Sequence, residues 1–418
     1  MRTQTRQPVP ALVIGGDVTA LGVLRSLHLA GIPAYAACPP GDLATRSRWY
    51  RPAPGAGGWN GNIGPETASV LHDLRLDRAV LIPCMDDAAI WASDLPGSEL
   101  GARFPVSSSR RQTLETLQNK DRFAAFLDES DIPHPPTFPL RSEDDIAALP
   151  FEDMQRVFLK PVNSQKFNRM VGVKALWADS RAELAKHWSV LQSRGLEVMV
   201  QEYVPGPAGN HYFLDGFRDG HGTVTGLLAR RRLRIFPPDF GNSSYCESIP
   251  LSGVAVAEGH LRELLERLDY RGIFSAEFKR DARDGQFRIL EVNIRAWWYV
   301  EFAARCGVNV CRMAYDDARG EPVKTVSRHY AAGAGCLYFP GDVKAVFSSN
   351  GQKRESWWTI LCQWSRSHFL AFLPGDPLPG VFASGASLRQ FWLRMIGRRP
   401  SENASLPVRL AEREKKRG

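Results

Sequence analysis

Alternating apolar and polar residues form two runs in the third quarter of the chain, one around residue 274 and one over residues 287–292. A polar segment at 281–285, which contains a glycine, separates the two runs. Runs of this kind, joined by a short polar turn with glycine, predict a β-hairpin. The hairpin is the most informative feature of the sequence, because both of its strands carry acidic residues.

The predicted hairpin brings four polar side chains together. Glu277 lies on the first strand and Glu291 on the second, and Asn293 and Arg295 follow Glu291 at the same parity, so these side chains share a face. Carboxylate and amide oxygens are ligands that suit magnesium beside nucleotide phosphates, and an arginine can stabilise a transferring phosphoryl group. A solvent-exposed hairpin with paired surface charges is the alternative for this pattern alone.

The first forty residues predict a parallel sheet. A buried strand at 11–16, a helix over 19–30 and a second strand at 32–37 form a β-α-β pattern, which implies parallel strands. The glycines of the first turn do not fit a dinucleotide-binding fingerprint, and no acidic residue ends the second strand. The sequence therefore does not support a nicotinamide site.

Strands and helices continue to alternate through the middle of the chain. Helices are predicted over 109–130, 181–193 and 256–268, and strands over 79–83, 157–160, 171–177, 198–204, 212–217 and 223–228. Asp86 and Asp87 follow the strand at 79–83, where they are candidates either for substrate contact at the carboxyl end of the sheet or for a helix cap.

Length and composition fit a multidomain globular protein. The chain has 418 residues, 44% of them hydrophobic and 23% charged, which suggests two or three domains. Its seven cysteines are scattered without a C-x-x-C pair, so neither a disulfide framework nor a zinc site is expected. The sequence shows no secretory signal and no apolar run of transmembrane length, and a cytoplasmic location is expected.

The formal net charge of +8 is concentrated in two places. One is the arginine cluster Arg230, Arg231, Arg232 and Arg234, and the other is the tail from residue 394 to 417. Without a zinc-finger or RNA-recognition motif this charge does not indicate nucleic acid, and it favours phosphate-bearing ligands or an anionic surface. The tail is expected to be solvated.

Aromatic residues are frequent beyond residue 322 but show no clear period. They are Trp357, Trp358, Trp364, Phe369, Phe372 and Trp392. With the basic tail they raise contact with a membrane surface as an alternative, although they lack the period of an amphipathic surface helix.

Three motifs carry a resemblance to a known family. They are Phe-Leu-Lys-Pro at 158–161, Ala-Glu-Phe-Lys-Arg-Asp at 276–281 and Glu-Val-Asn-Ile-Arg at 291–295. In their order and spacing the chain resembles the ATP-grasp superfamily, and most closely its predicted carboxylate–amine ligases of the D-aspartate ligase type. The resemblance covers roughly residues 13–320. Ile294 stands where the family usually has proline, a change that removes no ligand.

The resemblance implies an α/β and α+β architecture in three parts. A Rossmann-like domain, called pre-ATP-grasp in this family, would cover residues 1–110. A two-lobed ATP-grasp fold would cover 111–322, with a hinge near 201–206. The aromatic-rich region with its basic tail would cover 323–418. A homodimer is also considered.

The resemblance also implies a role for each residue of the site. Lys120 and Lys160 would contact ATP phosphates, and Ser164 belongs to a loop at 163–172 that would close over them. The interdomain hinge, whose backbone would bind adenine, is formed by Gln201, Glu202, Tyr203 and Val204. Magnesium, with two ions expected and manganese as an alternative, would be held by Glu277, Glu291 and Asn293.

Two arginines complete the implied site. Arg234 would bind a substrate carboxylate or phosphate, Arg295 would steady the phosphoryl group, and the neighbouring Arg230–Arg232 are expected to form a solvated charge run. The family's ribose-binding acid is missing after the hinge, and His211 is one candidate to replace it.

The implied reaction joins a carboxylate to an amine, both small and amino-acid-like, to form an amide or peptide bond. ATP would phosphorylate the carboxylate, the amine would displace phosphate from the acyl phosphate, and the products would include ADP. Two alternatives remain open, which are a ligase with a non-amine acceptor and a catalytically silent nucleotide-binding module.

Overall fold

The computed structural model describes residues 9–162, 167, 170–238, 240–348 and 355–385. Its helices are Asp17–Leu29, Thr67–Asp73, Asp86–Ala92, Glu99–Arg103, Arg111–Gln118, Lys120–Glu129, Glu143–Ala148, Arg181–Gln192, Ala255–Arg267, Val300–Arg305, Val310–Ala318, Phe339–Phe347, Trp357–Arg366 and 378–385. Short 3-10 turns lie at Leu43–Arg46, Ala208–Asn210 and Leu251–Val254. Within the described ranges, no helix is both long enough and apolar enough to cross a membrane.

A parallel sheet opens the chain. Its strands are β1 (Ala11–Ile14), β2 (Ala34–Ala37) and β3 (Val80–Pro83), in the order β2-β1-β3. All four residues of β1 are buried, as expected for a central strand covered on both faces. The predicted parallel β-α-β unit is confirmed.

An antiparallel four-stranded sheet follows. It contains β4 (Thr137–Leu140), β5 (Val157–Pro161), β6 (Leu176–Ala178) and β7 (Val198–Glu202), in the order β4-β7-β5-β6. Apolar side chains from these strands and from the helix Arg181–Gln192 form a core of their own. This sheet carries Lys160 on β5, and Gln201 and Glu202 on β7.

The largest sheet has seven strands. They are β8 (His211–Arg218), β9 (Val224–Phe236), β10 (Asn242–Ile249), β11 (Gly272–Arg280), β12 (Phe287–Asn293), β13 (Gly335–Leu337) and β14 (His368–Phe369), in the order β12-β11-β8-β9-β10-β13-β14. Strands β11 and β12 pair antiparallel, with Glu277 directly opposite Glu291. The predicted hairpin is therefore confirmed, and its two carboxylates are neighbours across the strands.

The region beyond residue 322 is built into this sheet. Strand β13 pairs with β10, and β14 pairs with β13. The region also reaches the first helix, where the buried guanidinium of Arg25 contacts Asp376 at 3.0 Å and Glu301 at 3.2 Å and donates to the carbonyls of Leu370 and Ala371. The domain boundaries at residues 110 and 322 stay predictions.

The prediction of one continuous helix over 109–130 is wrong. Residues 109–130 form two helices, because the backbone of Asn119 is extended and its side chain accepts hydrogen bonds from the N–H groups of Asp121 and Arg122 at 3.0 Å. Asn119 thus ends one helix and caps the next, as asparagine does at helix starts. The break makes Lys120 the first residue of the second helix.

Candidate active site

Three predicted oxygen ligands lie on the hairpin at the edge of the large sheet. Glu277 is half-buried on β11, Glu291 is exposed on β12, and Asn293, half-buried, lies two residues beyond Glu291 and opposite Ser275. Because the side chains of a strand alternate, Glu291 and Asn293 share one face with the directly opposed Glu277. The structure therefore brings the three residues together.

Two basic side chains hold Glu277 in place. The Nδ1 of His211 lies 2.8 Å from Oε1 of Glu277, and an NH2 group of Arg232 donates to the same oxygen at 3.1 Å. Burial opposes the charge of Glu277, yet the attraction of Arg232 and the bond to His211 outweigh it, so the pKa of Glu277 lies well below its ordinary value. Glu277 is ionised at neutral pH.

His211 is neutral in this cluster. Burial and the positive charge of Arg232 lower its pKa to about 4, although Glu277 acts in the opposite direction. His211 lies on β8 and hydrogen-bonds a predicted metal ligand, which occupies its Nδ1. Its role as a substitute for the ribose-binding acid stays a prediction.

The donor set fits a hard cation. The described contacts of Glu277 all reach Oε1, so its Oε2 can face a cation together with Glu291 and the amide oxygen of Asn293. In the described part of the chain, no group of three or more His, Cys, Asp or Glu side chains is arranged to hold a metal ion. Two carboxylates and an amide match a magnesium site that relies on phosphate and water for its other ligands.

Two lysines lie near strand β12, which carries Glu291. Lys120 and Lys160 line a small cavity of about 20 Å³ together with Gln201 and Ile289, and the ammonium of Lys120 donates to the carbonyl of Pro161. Burial, followed by repulsion from Lys160, lowers the pKa of Lys120 to about 8, while the charge of Glu291 acts against the shift. Two ammonium groups and a carboxylate thus lie within electrostatic reach of one another.

A third lysine belongs to the same cluster and was missed from the sequence. Lys174 donates to Oδ1 of Asn242 at 2.5 Å, and its pKa is lowered by desolvation even though Glu291 and Glu277 attract its charge. It lies just beyond the predicted phosphate loop. The residues Ser164, Lys166 and Arg169 of that loop lie outside the described residues.

The predicted hinge is tightly bonded to its surroundings. Gln201 donates to Thr137 at 2.8 Å, and the backbone N–H groups of Glu202 and Tyr203 donate to the carbonyls of Pro136 and Arg156. The buried carboxylate of Glu202 binds Arg283 through two contacts of 2.6 and 3.1 Å. Two of the hinge N–H groups are therefore used within the protein.

The side chains of Tyr203 and Val204 pack within the protein. The ammonium of Lys279 lies 3.9 Å from the ring centroid of Tyr203, a cation–π contact, and Trp177 meets the same ring edge-on. Val204 is buried. These contacts fix the start of the connection into the large sheet, and adenine binding at the hinge stays a prediction.

The two predicted catalytic arginines have different surroundings. Arg295 forms an ion pair at 2.9 Å with Asp86, the first residue of the helix that follows β3, so it joins the end of the hairpin to the region beyond the carboxyl end of β3. Arg234 donates to both oxygens of Asp342 and also to Glu355 and Gln363. The guanidinium of Arg234 is thus bound to the terminal region, and its substrate role stays a prediction.

The expected solvated run Arg230–Arg232 is wrong. Strand β9 continues through the cluster, and Arg230 and Arg232 are buried. Arg230 pairs with the buried Asp215 at 2.6 Å, and Arg232 with Glu277 at 3.1 Å. The run of charges hid a strand because Arg230 pairs with Asp215 on the adjacent strand β8, and Arg232 pairs with Glu277 on β11, one strand further. The period of two at positions 230 and 232 was the available signal.

A cavity of about 340 Å³ adjoins this cluster. Its lining includes Asp17, Ser243, Trp298, Tyr338 and Lys344. The Oγ of Ser243 accepts a hydrogen bond of 2.8 Å from Nε of Arg232, so the cavity and the Glu277 cluster share a wall.

Asp17 is an unusual residue in this wall. Its φ is +62°, in the left-handed region that non-glycine residues rarely adopt, and its N–H lies 2.8 Å from both carboxylate oxygens of Asp42. Burial raises the pKa of Asp17, with the charge of Asp42 adding to the shift. Strain of this kind is concentrated at binding sites.

Comparison with solved structures identifies the fold of the chain. The N5-carboxyaminoimidazole synthase of Aspergillus clavatus, solved with ADP and 5-aminoimidazole ribonucleotide, has a TM-score of 0.59 and 12% identity and covers 78% of this chain and 81% of its own. The biotin carboxylase domain of the Hydrogenobacter thermophilus 2-oxoglutarate carboxylase, solved with MgADP and bicarbonate, has a TM-score of 0.58 and 13% identity, with coverages of 79% and 74%. The fold of this chain is therefore the two-lobed ATP-grasp fold with a parallel N-terminal sheet, as predicted.

A curated relative supports the same resemblance. The D-aspartate ligase of Enterococcus faecium (strain Aus0004) is 27% identical over 250 residues, which are 57% of this chain and 58% of that protein. The chain thus spans a little over half the length of the relative it matches. No protein-family profile matches the chain. The resemblance to ATP-grasp carboxylate–amine ligases is confirmed.

Proposed function

We propose that this protein is an ATP-dependent carboxylate–amine ligase that forms an amide or peptide bond through an acyl phosphate and releases ADP and phosphate. The observation that carries the proposal is the approach of Lys120 to Glu291, with Lys160 lining the same cavity as Lys120. Glu277 lies directly opposite Glu291 on the neighbouring strand. Cations that neutralise phosphate oxygens and carboxylates that hold a divalent ion are the parts that phosphoryl transfer needs.

Each group has a task in this scheme. Lys120 and Lys160 bind phosphate oxygens and offset the charge that grows on them during transfer. Glu277, Glu291 and Asn293 hold magnesium, which when bound would neutralise phosphate charge. Arg232 and His211 position Glu277 by fixing one of its oxygens. Two magnesium ions are expected, with manganese as an alternative.

The 340 Å³ cavity is the proposed site for an amino-acid-like substrate. It offers a carboxylate at Asp17, an ammonium at Lys344, a hydroxyl at Ser243 and aromatic walls. A zwitterionic substrate needs one group of each sign, and the lining supplies both at Asp17 and Lys344. The shared wall with Arg232 would place such a substrate next to the phosphoryl group.

A hydroxylamine trap tests the reaction class. The full-length protein is incubated with MgATP, hydroxylamine and single candidate carboxylates, and hydroxamate, ADP and AMP are measured. An acyl phosphate reacts with hydroxylamine, so hydroxamate should appear in step with ADP for the correct carboxylate. Production of AMP and pyrophosphate would overturn the proposal.

The same assay separates the alternatives. A kinase would release ADP with a phosphorylated product that does not react with hydroxylamine, and a silent nucleotide-binding module would bind ATP without releasing ADP. A ligase with a non-amine acceptor would form hydroxamate yet show no turnover with any amine. A cytoplasmic location and a homodimer stay predictions.

A further inference from the structure

The turn before the first helix is shaped around Asp17. Gly15 has a φ of +120° and Asp17 a φ of +62°, and a Cβ atom at Gly16 would collide with the carboxylate of Asp42. Asp42 therefore packs directly on the backbone of this turn, with both of its oxygens 2.8 Å from the backbone nitrogen of Asp17. This arrangement holds Asp17 in the lining of the 340 Å³ cavity.

This end of the cavity carries negative charge. The N–H of Asp17 begins the helix Asp17–Leu29, and N–H groups at a helix start attract anions. Here Asp42 already accepts from that N–H, so its carboxylate lies beside the carboxylate of Asp17. Burial raises the pKa of Asp17, and the charge of Asp42 adds to the shift. An ammonium group is favoured next to two carboxylates, whereas a further anion is repelled.

Asp17 is accessible to a ligand in the cavity. The residue is exposed, although the surrounding protein disfavours its charge, which fits a group recessed in an open cavity. Tyr338 lines the same cavity, and burial, followed by the charge of Asp17, raises the pKa of its hydroxyl. The ring of Trp298 lies 5.5 Å from the ring of Tyr338 and continues the wall. A carboxylate, a protonated hydroxyl and aromatic surface thus contribute to one lining.

Cations mark the boundary between this cavity and the Glu277 cluster. Arg232 contacts Glu277 and donates to Ser243 of the cavity wall at 2.8 Å. Lys174 donates to Asn242 of the same wall at 2.5 Å. Positive charge stabilises a carboxylate that is being phosphorylated and the phosphate that it receives. We therefore expect the carboxylate substrate near these cations and the amine substrate near Asp17.

We propose that the cavity binds the amine substrate, and that Asp17 holds its ammonium group and accepts the proton that the amine loses before it attacks. This inference rests on the proposed ligase function and says which of the two substrates occupies the cavity. Lys344, the cation of the lining, can bind a carboxylate of the same molecule. The amine is therefore expected to be that of an amino acid.

The proton transfer is needed because an ammonium group has no lone pair with which to attack. The ammonium gives one proton to the carboxylate of Asp17, and the neutral amine attacks the carbonyl carbon of the acyl phosphate. A C–N bond forms, and the C–O bond to phosphate breaks with its electron pair on phosphate. The nitrogen gives its second proton to phosphate, and Asp17 returns its proton to solvent. The raised pKa of Asp17 makes it a stronger base than an ordinary aspartate.

A comparison of two acceptors tests this role of Asp17. Hydroxylamine is largely neutral at neutral pH and needs no proton acceptor, whereas an amino acid is an ammonium. The full-length protein is incubated with MgATP, the carboxylate that gives hydroxamate, and either hydroxylamine or one of the standard amino acids in L or D form. Asp17→Asn should lower the ratio of amide to hydroxamate by roughly 100-fold. Asparagine also adopts the left-handed conformation, and circular dichroism confirms folding.

Asp131→Asn is the matched control. Asp131 is also an exposed aspartate with a left-handed φ, +55°, and it does not line the cavity. Its ratio of amide to hydroxamate should equal that of the wild type.

The outcomes separate this inference from the proposed function. An unchanged ratio in Asp17→Asn, an equal loss of amide and hydroxamate, or a wild type that forms hydroxamate but no amide with any amino acid would each overturn the inference alone. A wild type that forms no hydroxamate with any carboxylate would overturn the proposed function, and the inference with it.

Discussion

Strand β9 carries two arginines, two residues apart, that bind carboxylates in contrasting ways. Asp342 is saturated, because Oδ1 accepts from Arg234 and Ser244 and Oδ2 accepts from Arg234 and Trp364, all at 2.8 to 2.9 Å. Arg232 and His211 both contact Glu277 at the same oxygen, Oε1. One carboxylate is completely used inside the protein, and the other keeps an oxygen for a ligand.

The difference distinguishes a pair that stabilises the fold, Arg234 and Asp342, from a pair that can bind a ligand, Arg232 and Glu277. A buried carboxylate with four donors contributes to the attachment of the terminal region and offers little to a substrate. A carboxylate held ionised on one side and open on the other suits a cation. The presence of an arginine at a position on β9 does not show what that arginine does. The number of hydrogen bonds that its partner carboxylate already accepts does show it.

The largest expected effect is a loss of turnover when the proposed magnesium ligand Glu291 is changed. Glu291→Gln should lower kcat by about 100-fold or more, because it removes one charge from the proposed magnesium ligands. Glu291 is exposed, so the melting temperature should stay unchanged. Rates of ADP release and thermal melts measure the two halves.

Glu129→Gln is the matched control, since Glu129 is an exposed glutamate at the end of the helix Lys120–Glu129. It should keep full activity. Wild-type ADP release by Glu291→Gln would contradict the metal assignment.

A change in the pair of Arg234 and Asp342 should instead lower the stability of the protein. Arg234→Ala leaves Asp342 buried without its main cation, and the free energy of unfolding should fall by about 3 kcal/mol. The folded fraction should keep its kcat. Urea titration measures the loss, and Arg366→Ala, which removes an exposed arginine from the neighbouring helix, should change little.

A different result would favour the predicted substrate role of Arg234. If Arg234→Ala kept its stability but raised the KM for the carboxylate substrate, Arg234 would act on substrate and the distinction between the two pairs would fail.

The pH dependence of stability tests the protonation state of His211, which contacts Glu277. His211 has a pKa of about 4 in the folded protein and about 6.5 when unfolded. Between these values the unfolded state binds a proton that the native state does not, so stability is lost as pH falls from 6.5 to 4. This contribution should amount to about 1–3 kcal/mol.

His211→Gln removes that titration and should flatten the fall over the same window. Urea titrations at pH 7, 5.5 and 4.5 give the slope for both proteins. An exposed histidine provides the control, because His72→Gln should leave the slope unchanged. Identical slopes for wild type and His211→Gln would show that His211 is not held neutral.

The smallest expected effect concerns Lys120. With its pKa lowered to about 8, its ammonium loses charge as pH rises past 8, and the attraction for phosphate declines. Nucleotide affinity measured by calorimetry should fall by roughly tenfold or less between pH 7.5 and 9.5. Lys120→Arg, which stays charged, should abolish this trend, and an equal decline in both proteins would assign it elsewhere.

Local patterns made much of this architecture predictable. The alternation around residues 274–293 specified the hairpin and the opposition of Glu277 to Glu291, and the first apolar run specified the parallel strand β1. The family resemblance then singled out Lys120 and Lys160 as phosphate ligands, which stays a prediction. These features depend on neighbours in sequence, where periodicity is informative.

The remaining features depend on long-range partners. The burial of Arg232 requires Glu277, 45 residues away, and the period of two at positions 230 and 232 does not identify that partner. The break at Asn119 was visible only as one capping residue in an otherwise helical pattern, and the saturation of Arg234 needed Asp342, 108 residues downstream. The sequence predicted a site but could not say which arginines contact its carboxylates.

The buried contact between Arg25 and Asp376 has a consequence for synthesis of the protein. Asp376 lies 351 residues after Arg25, so the first helix leaves the ribosome long before the carboxylate and carbonyls that bind its guanidinium exist. Domains usually fold in order as they emerge, but here the first helix receives several partners of Arg25 from a segment about 350 residues downstream. A nascent chain that stops before residue 370 would therefore leave the Arg25 guanidinium with Glu301 but without Asp376 and the carbonyls of Leu370 and Ala371. We expect such a chain to be cleaved by proteases more readily than the full chain.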